Sequence, residues 1–353
     1  VERSVQAGIG LSAFELDLFG RLRNLSEAAM QEYLATGAAA RASQIALIAE
    51  VAKAYAVREG AIRRHAVATD VLESRRVAAD LVRLQGEVGT ASSLDYQEAL
   101  SLSSEAEAEL ESALRQSLQA ENLLSLLVAE DVNRLVSPAN GQMLSLFNEI
   151  EAEVSSVVLQ GRPDVQASEH ELIARNADIG AARAAFFPRI SLTGFLSSAS
   201  PELSGLFDGG TRSWNFSPVV TLPIFSGGRN RASLELATLR KDMAIAKYEY
   251  TLQTAFREVS DALVAVNTLE RECMARARLR DSAQQSMHLS DLRFQAGLDS
   301  RLRNLEAQRT SLAAQLGLVQ IDVDQQLARI ELFKALGGGW SSRSDQGFTT
   351  RQD

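Results

Sequence analysis

The sequence predicts an α+β chain in which a few β-strands feed very long helices, with the whole plan written twice. Three observations predict it. Two Pro-free stretches, about 24–86 and 232–295, are dominated by Ala, Leu, Arg, Glu and Gln, all good helix formers. Three shorter segments alternate residue by residue, as strands do. The stretch "VGTASSLDYQEA" at Val88–Ala99 returns as "AGLDSRLRNLEA" at Ala296–Ala307, with Gly89 and Gly297 standing 208 residues apart. A helix of roughly 60 residues is about 90 Å long, three times the width of an ordinary domain. Such helices must pack as an elongated coiled coil. Three strands leave open edges, a liability that closure with other chains removes. The expected architecture is an oligomeric β-barrel continuous with a helical tube.

Bulk properties narrow the classes. The 353 residues are 46% hydrophobic and 23% charged, with net charge −9. No run of about 18 apolar residues occurs, so no membrane-crossing helix is encoded. A β-barrel stays open, because alternating strands barely raise the average hydropathy. The acidic balance and the absence of a Lys/Arg-rich run argue against nucleic acid. A single cysteine, Cys273, excludes an intrachain disulfide framework. The chain starts at Val1, in mid-pattern, so a trimmed N-terminus is expected and a missing signal peptide says nothing about location.

The elements follow in order. Val5–Phe14 alternates large with small residues and reads as a strand. The first long helix then runs to Gly86, weakened slightly by Gly37 and Gly60, and "GEVGTASS" breaks it. A second helix covers about Leu94–Glu130, with Ala99, Ala106, Ala113, Ala120 and Leu127 recurring every seven residues. That repeat marks a supercoiled seam with close helix approach. Ser137–Gly161 is a connector with one short helix. Pro163 opens a helix over Asp164–Ala185 and Pro188 ends it. Ile190–Leu196 and "WNFSPVVTLPIF" from Trp214 are strands around a turn-rich loop. A second long helix spans about Ala232–Gln295. The last, Leu302–Leu336, has Leu302, Leu316, Val323 and Ile330 at one heptad position and Leu305, Leu312, Val319 and Phe333 at the other. Arg309 and Gln326 are its exceptions, and "GGG" at Gly337 stops it.

The halves superimpose. Phe19, Arg23 and Asn24 match Phe225, Arg229 and Asn230 at an offset of 206, and Glu50-Val51 matches Glu258-Val259 at 208. Gly89, Ser92, Leu94, Glu98 and Ala99 match Gly297, Ser300, Leu302, Glu306 and Ala307 at the same 208. The expected organisation is a first repeat over 1–136, a connector and helix over 137–187, a second repeat over 188–340, and a polar, disordered tail over 341–353.

Several motifs carry a resemblance. "RPDV", "IGAARAAFFPRISL", "LSGLFDGG", "LPIFSGG", "RFQAGLDS", "FKALGGGW" and the N-terminal "AFELDLFGRLRN" resemble the outer-membrane efflux ducts of Gram-negative bacteria, in the OprM-like branch of the TolC superfamily. The likeness runs from Val5 to Trp340. It implies a homotrimer whose protomers each give four strands to a twelve-stranded outer-membrane barrel, continuous with a periplasmic α-helical barrel. It implies a periplasmic adaptor (membrane fusion) protein, an inner-membrane RND-type transporter and outer-membrane lipid as partners, and no chemistry. The product is a passive exit duct for drugs or other toxic small molecules. With three strands recognisable, the first strand and the helices before it are expected to be missing, and an N-terminal lipidated Cys lies out of view.

The resemblance also suggests a gate. In such ducts the second hairpin closes the periplasmic tip with a ring of Leu and a ring of carboxylates, which map onto Leu302 and Glu306; most members carry Asp at the latter position. Three carboxylates facing one another on an axis repel and recruit cations or protons. Arg303 and Arg301 are additions that could pair with Glu306 or Asp299 and lock the tip. The competing reading puts Glu306 and both arginines on solvated helix faces. The turn residues Gly89, Ser92, Asp95, Gly297 and Ser300 are turn formers or adaptor contacts, the two glycines supplying positive φ. Phe19, Gly20, Pro188, Pro223, Gly227 and Gly228 are barrel-to-tube hinges and match no phosphate-binding loop. Trp214, Phe216 and Phe195 suit either an aromatic girdle or a trimer interface. His65, His170 and His288 lack ligand spacing, and no nucleophile elbow is present. No catalytic residue, metal or cofactor is therefore expected. The alternative function is a periplasmic coiled-coil adaptor or scaffold without a pore. It is disfavoured because an adaptor carries one hairpin and this chain has two.

Overall fold

The computed structural model describes residues 4–132 and 157–338, with residues 157, 158 and 302 described by backbone alone. The connector over 133–156, Trp340 and the tail lie outside the described residues. The chain divides into two compact units, Val1–Arg41 with Gln160–Thr254 and Ala42–Leu159 with Ala255–Asp353. Each unit draws on both halves of the sequence.

The first unit holds an antiparallel sheet of β1 (Val5–Leu16), β2 (Arg189–Ser200) and β3 (Arg212–Thr221), in the order β1-β2-β3. Val5 pairs with Ser200 and Leu16 with Ile190; Arg189 pairs with Thr221 and Ser198 with Arg212. The register slips between Leu11 and Phe14, where Ala13 takes φ 50, the signature of a bulge that bends the strand. β3 is exposed along its length. Pro218 fits there because β3 is an edge strand of this sheet and need not donate to a further ladder. β2 runs past the expected Leu196 to Ser200. β3 stops at Thr221, short of the expected Phe225, since Pro223 fixes φ and has no N–H to pair. The β2–β3 loop is tied inward by the Ser198 hydroxyl, which donates to the Leu206 carbonyl and meets Thr211 Oγ1 at 2.7 Å.

Helices α1 (Arg21–Glu87), α2 (Ser93–Val128), α3 (Val157–Gln160), α4 (Pro163–Ala184), α5 (Arg229–Gln295) and α6 (Arg301–Ala335) complete the described elements. Two repeat-related asparagines act alike on α4. Asn24 packs on Gly180, and Asn230 Nδ2 donates to the Ala185 carbonyl at 2.9 Å, just beyond the helix end.

The second unit is a layer of helices in the lateral order α2–α1–α6–α5. Arg58 of α1 reaches Glu121 of α2 at 3.6 Å, Arg63 of α1 reaches Asp322 of α6 at 3.2 Å, and the Cys273 thiol of α5 donates to Asp322 at 3.4 Å. The alanine heptad of α2 is its buried seam: Ala99, Ala106, Ala113 and Ala120 all face inward. On α6, Ile330 is fully buried against Ala49 and Ala56. Val323 lies so close to Gly60 that a Cβ there would stand 2.3 Å from its Cγ2. Gly60 is thus a point of helix contact rather than only a weak spot in α1. The two heptad exceptions part ways. Arg309 is solvated, whereas Gln326 is buried with its Oε1 unpartnered among the described residues.

Candidate functional site: the two helix turns and the strand-to-helix hinge

The two turns are copies at the level of the backbone. Gly89 has φ +77 and Gly297 φ +71. The Gly89 N–H donates to the Gly86 carbonyl at 3.0 Å and Thr90 N–H to Gln85 at 2.9 Å; Gly297 donates to Phe294 at 2.9 Å and Leu298 to Arg293 at 2.9 Å. This is the Schellman arrangement, which satisfies the last carbonyls of a helix and needs a left-handed residue. No atom lies near enough to crowd a Cβ at either glycine, so the requirement is conformational.

The side chains that brace the two turns differ. In the first, Ser92 caps α2 with a reciprocal box: Ser92 N–H donates to the Asp95 carboxylate at 2.9 Å and Asp95 N–H to Ser92 Oγ at 3.2 Å. The Ser92 backbone N–H and then its hydroxyl hold the Asp95 carboxyl below its usual range, with Arg301 adding to the effect. An apolar cluster of Ala79, Val82 and Ala99, with Ala91 and Tyr96, seals this hairpin. In the second turn Ser300 caps α6 by accepting from Arg303 N–H at 3.4 Å, but Arg303 stands where the box needs an acid. A clamp replaces the box. Arg293 Nε donates to Asp299 at 2.8 Å and Arg303 Nη1 approaches it at 3.5 Å. The Arg293 guanidinium, and then Arg303, hold the Asp299 carboxyl below its usual range.

Of the expected gate residues, Leu302 lies in the first turn of α6 and its side chain is outside the described residues. Glu306 is 68% exposed and 3.9 Å from Arg309. It borders a groove with Arg64, Arg75, Leu102 and Glu105. Arg303 pairs with Asp299 rather than with Glu306.

Sequence reasoning missed a polar chain beside these residues. Gln295 donates to Asp291 at 2.8 Å, Asn304 to Asp291 at 3.5 Å, and Gln308 to Asn304 at 2.7 Å; Arg75 donates to Gln308. It links α5, α6 and α1 just above the second turn. Asn304 within it is buried, as is Ser311 further along α6, whose hydroxyl accepts from Gln315 Nε2 at 3.4 Å. The signal was available: Asn304, Gln308, Ser311 and Gln315 follow one another at spacings of four, three and four, a polar stripe on α6.

The hinge residues gather in the first unit. Phe19 stacks on Phe187 with ring centroids 4.7 Å apart. Phe19, Pro188 and Pro223 line one cavity of about 270 Å³ with Arg21, Arg229 and Asn230. Gly20, Gly227 and Gly228 all have positive φ. Asp17 accepts from Leu22 N–H at 3.1 Å and Arg23 N–H at 2.8 Å, fixing the start of α1.

Burial, and then Asp322, push the Cys273 thiol up, away from a reactive thiolate. His170 Nδ1 is engaged by Gln31 at 2.6 Å. Among the described residues no cluster of His, Cys, Asp and Glu could hold a metal.

A strand-fed long helical hairpin, written twice in one chain, is the fold of an outer-membrane efflux channel of the TolC type. Residues 1–130 and 154–338 match the family model described as "Outer membrane efflux protein", and the chain belongs to that family. It is 50% identical over 341 residues to the outer membrane protein OprJ of Pseudomonas aeruginosa, covering 96% of this chain and 71% of OprJ. It is 40% identical over 343 residues to the solvent efflux pump outer membrane protein SrpC of Pseudomonas putida, covering 97% and 72%. The crystal structure of a membrane protein from Pseudomonas aeruginosa superposes with a TM-score of 0.88 at 50% identity, over 96% of this chain and 76% of that one. The open state of the Neisseria gonorrhoeae MtrE outer membrane channel superposes at 0.84 with 38% identity, over 95% and 76%. The chain is therefore an outer-membrane efflux component with a large periplasmic portion, rather than an adaptor or scaffold. Its relatives are outer-membrane efflux proteins.

Proposed function

We propose that the chain is one third of a homotrimeric exit duct, passing drugs or solvents from the periplasm to the exterior within a tripartite pump. The observation that carries this reading is the outer edge of β3, which is solvent-exposed throughout and has no further strand beside it among the described residues. A second copy joined to it edge to edge within the outer-membrane lipid would cover it. The names of SrpC, a solvent efflux pump protein, and ArpC, an antibiotic efflux pump protein, support the cargo class. A periplasmic adaptor and an inner-membrane RND-type transporter complete the pump. Gly89, Ser92, Asp95, Gly297 and Ser300 shape the turns that the adaptor meets. Phe19, Gly20, Pro188, Pro223, Gly227 and Gly228 are the hinges between barrel and tube.

The gate belongs to the second turn, at Leu302, Glu306 and Arg303. Its side chains are braced by an Arg–Asp–Arg clamp where the first turn has a capping box sealed by an apolar cluster, and ionic contacts at exposed sites yield more readily to partners, salt and pH. The test is planar-bilayer conductance of the full-length protein. Leu302→Ser and Arg303→Ser are expected to raise conductance or antibiotic leak, and Glu306→Gln to weaken cation preference. Unchanged values in all three would remove these residues from the gate. Absence of any channel, or monomers after detergent extraction, would remove the duct reading itself.

A further inference from the structure

The register of the three-stranded sheet sorts its side chains onto two faces. Directly paired residues of an antiparallel sheet point the same way, and successive residues alternate. One face carries Ile9, Leu196 and Trp214 in one row and Leu11, Gly194 and Phe216 in the next. That face is apolar and Trp214 on it is 78% exposed, as the lipid-facing side of a barrel wall must be. The opposite face carries Ser197 paired with Ser213, then Phe195 with Asn215, then Thr193 with Ser217. Ser197 Oγ and Ser213 Oγ lie 2.9 Å apart on it. In a barrel this polar face lines the lumen. Three aromatic residues that look alike in the sequence are thus separated: Trp214 and Phe216 face lipid, and Phe195 faces the lumen.

Phe195 is the one aromatic side chain on the polar face among the described residues of the sheet, and Val219, nearer the hinge, is its other large apolar member. The ring is seated. Gly10 stands directly opposite Phe195 and Gly8 one row away on the same face. A Cβ on Gly10 would lie 3.0 Å from Phe195 Cε2, and one on Gly8 2.9 Å from Phe195 Cζ. The ring fills the space that side chains at residues 8 and 10 would take, and an aromatic laid over strand glycines shields their backbone. Yet Phe195 remains 44% exposed.

A seated ring with an open side has its rotamer already fixed, so a solute that meets it costs little further side-chain order. Its π surface attracts other flat rings by stacking, and a positive charge on the visiting ring adds a cation–π attraction. The hydroxyl and amide side chains around it offer no comparable surface to such a solute.

We propose that Phe195 is a cargo contact in the barrel lumen, a seat on which planar aromatic cations stack as they leave through the duct. The proposal rests on the duct reading and adds to it a residue that discriminates among cargoes. The experiment uses full-length protein. In liposomes, with Cys273→Ser as background, Phe195→Cys should react with a membrane-impermeant maleimide. Phe216→Cys, beside the same row but on the lipid face, should not. In planar bilayers, ethidium, a planar aromatic cation, should interrupt the single-channel current of the wild type at a concentration about two- to fivefold lower than in Phe195→Ser or Phe195→Leu. Phe195→Trp should keep the wild-type sensitivity, and tetrapropylammonium, a cation without a ring, should act alike on all four. An inert Phe195→Cys beside a reactive Phe216→Cys overturns the proposal and leaves the duct standing. So does an ethidium sensitivity that is equal in the wild type and Phe195→Leu, or absent from both. So does an equal shift for the two cations, which marks an altered pore. A Phe195→Ser trimer that melts earlier while the ratio of the two cations is unmoved assigns the ring to covering Gly8 and Gly10 alone, and overturns the proposal as well. A wild-type protein that forms no channel overturns the duct reading itself.

Discussion

Asp299 condenses the chemistry of the second turn into one side chain. Its carboxylate joins Arg293, before the turn, to Arg303, after it. Its ordinary value is 3.8 and the folded value lies lower. The stability it contributes is thus fully present above that ordinary value and is lost as pH falls through the folded one. Protection of the backbone amides over residues 293–303, taken relative to intrinsic exchange at each pH, should stay flat from neutral pH to about pH 4 and fall below it. Asp299→Asn should lower that protection at neutral pH and flatten the dependence; an unaltered profile would show the clamp to be idle. Gly297→Ala probes the backbone instead. An L-residue at that positive φ costs about 1 kcal/mol. Because no neighbour crowds the site, the loss should read as faster local exchange rather than global unfolding.

Among the elements, contact between α1 and α6 decides most. Gly60 lets Val323 approach, and Gly60→Leu should force the helices apart at a cost of about 1–3 kcal/mol, read as a lower melting temperature. Ile330→Ala opens a cavity against Ala49 and Ala56, with an expected loss of about 2–5 kcal/mol. Arg75→Ala leaves Gln308 without its donor and should cost about 1–3 kcal/mol. Arg75→Ala breaks the polar chain beside the second turn and should also raise single-channel open time, which Gly60→Leu, further from the turn on α1, should not do selectively. The heptads were legible in the sequence because Ala and Leu at seven-residue spacing have few uses besides a seam. The polar stripe of Asn304, Gln308 and Ser311 was harder to interpret. Polar residues on a helix usually mean solvent, and only packing against α1 and α5 reveals that these are covered.

For the whole molecule, the sequence by itself determined the matching of the two halves, the order of the elements, the positive-φ glycine in each helix turn and the efflux-duct class. These depend on local backbone preference and on periodicity, which one chain writes out in full. The tertiary structure alone decided which charge meets which. It gave Asp299 to Arg293 and Arg303, left Glu306 to Arg309, and made Gly60 a helix contact. It also revealed that the two turns, alike in backbone, are braced by different forces. The physical reason is that pairing depends on the relative height and rotation of helices that meet only after folding, with partners far apart along the chain, 259 residues in the case of Arg63 and Asp322.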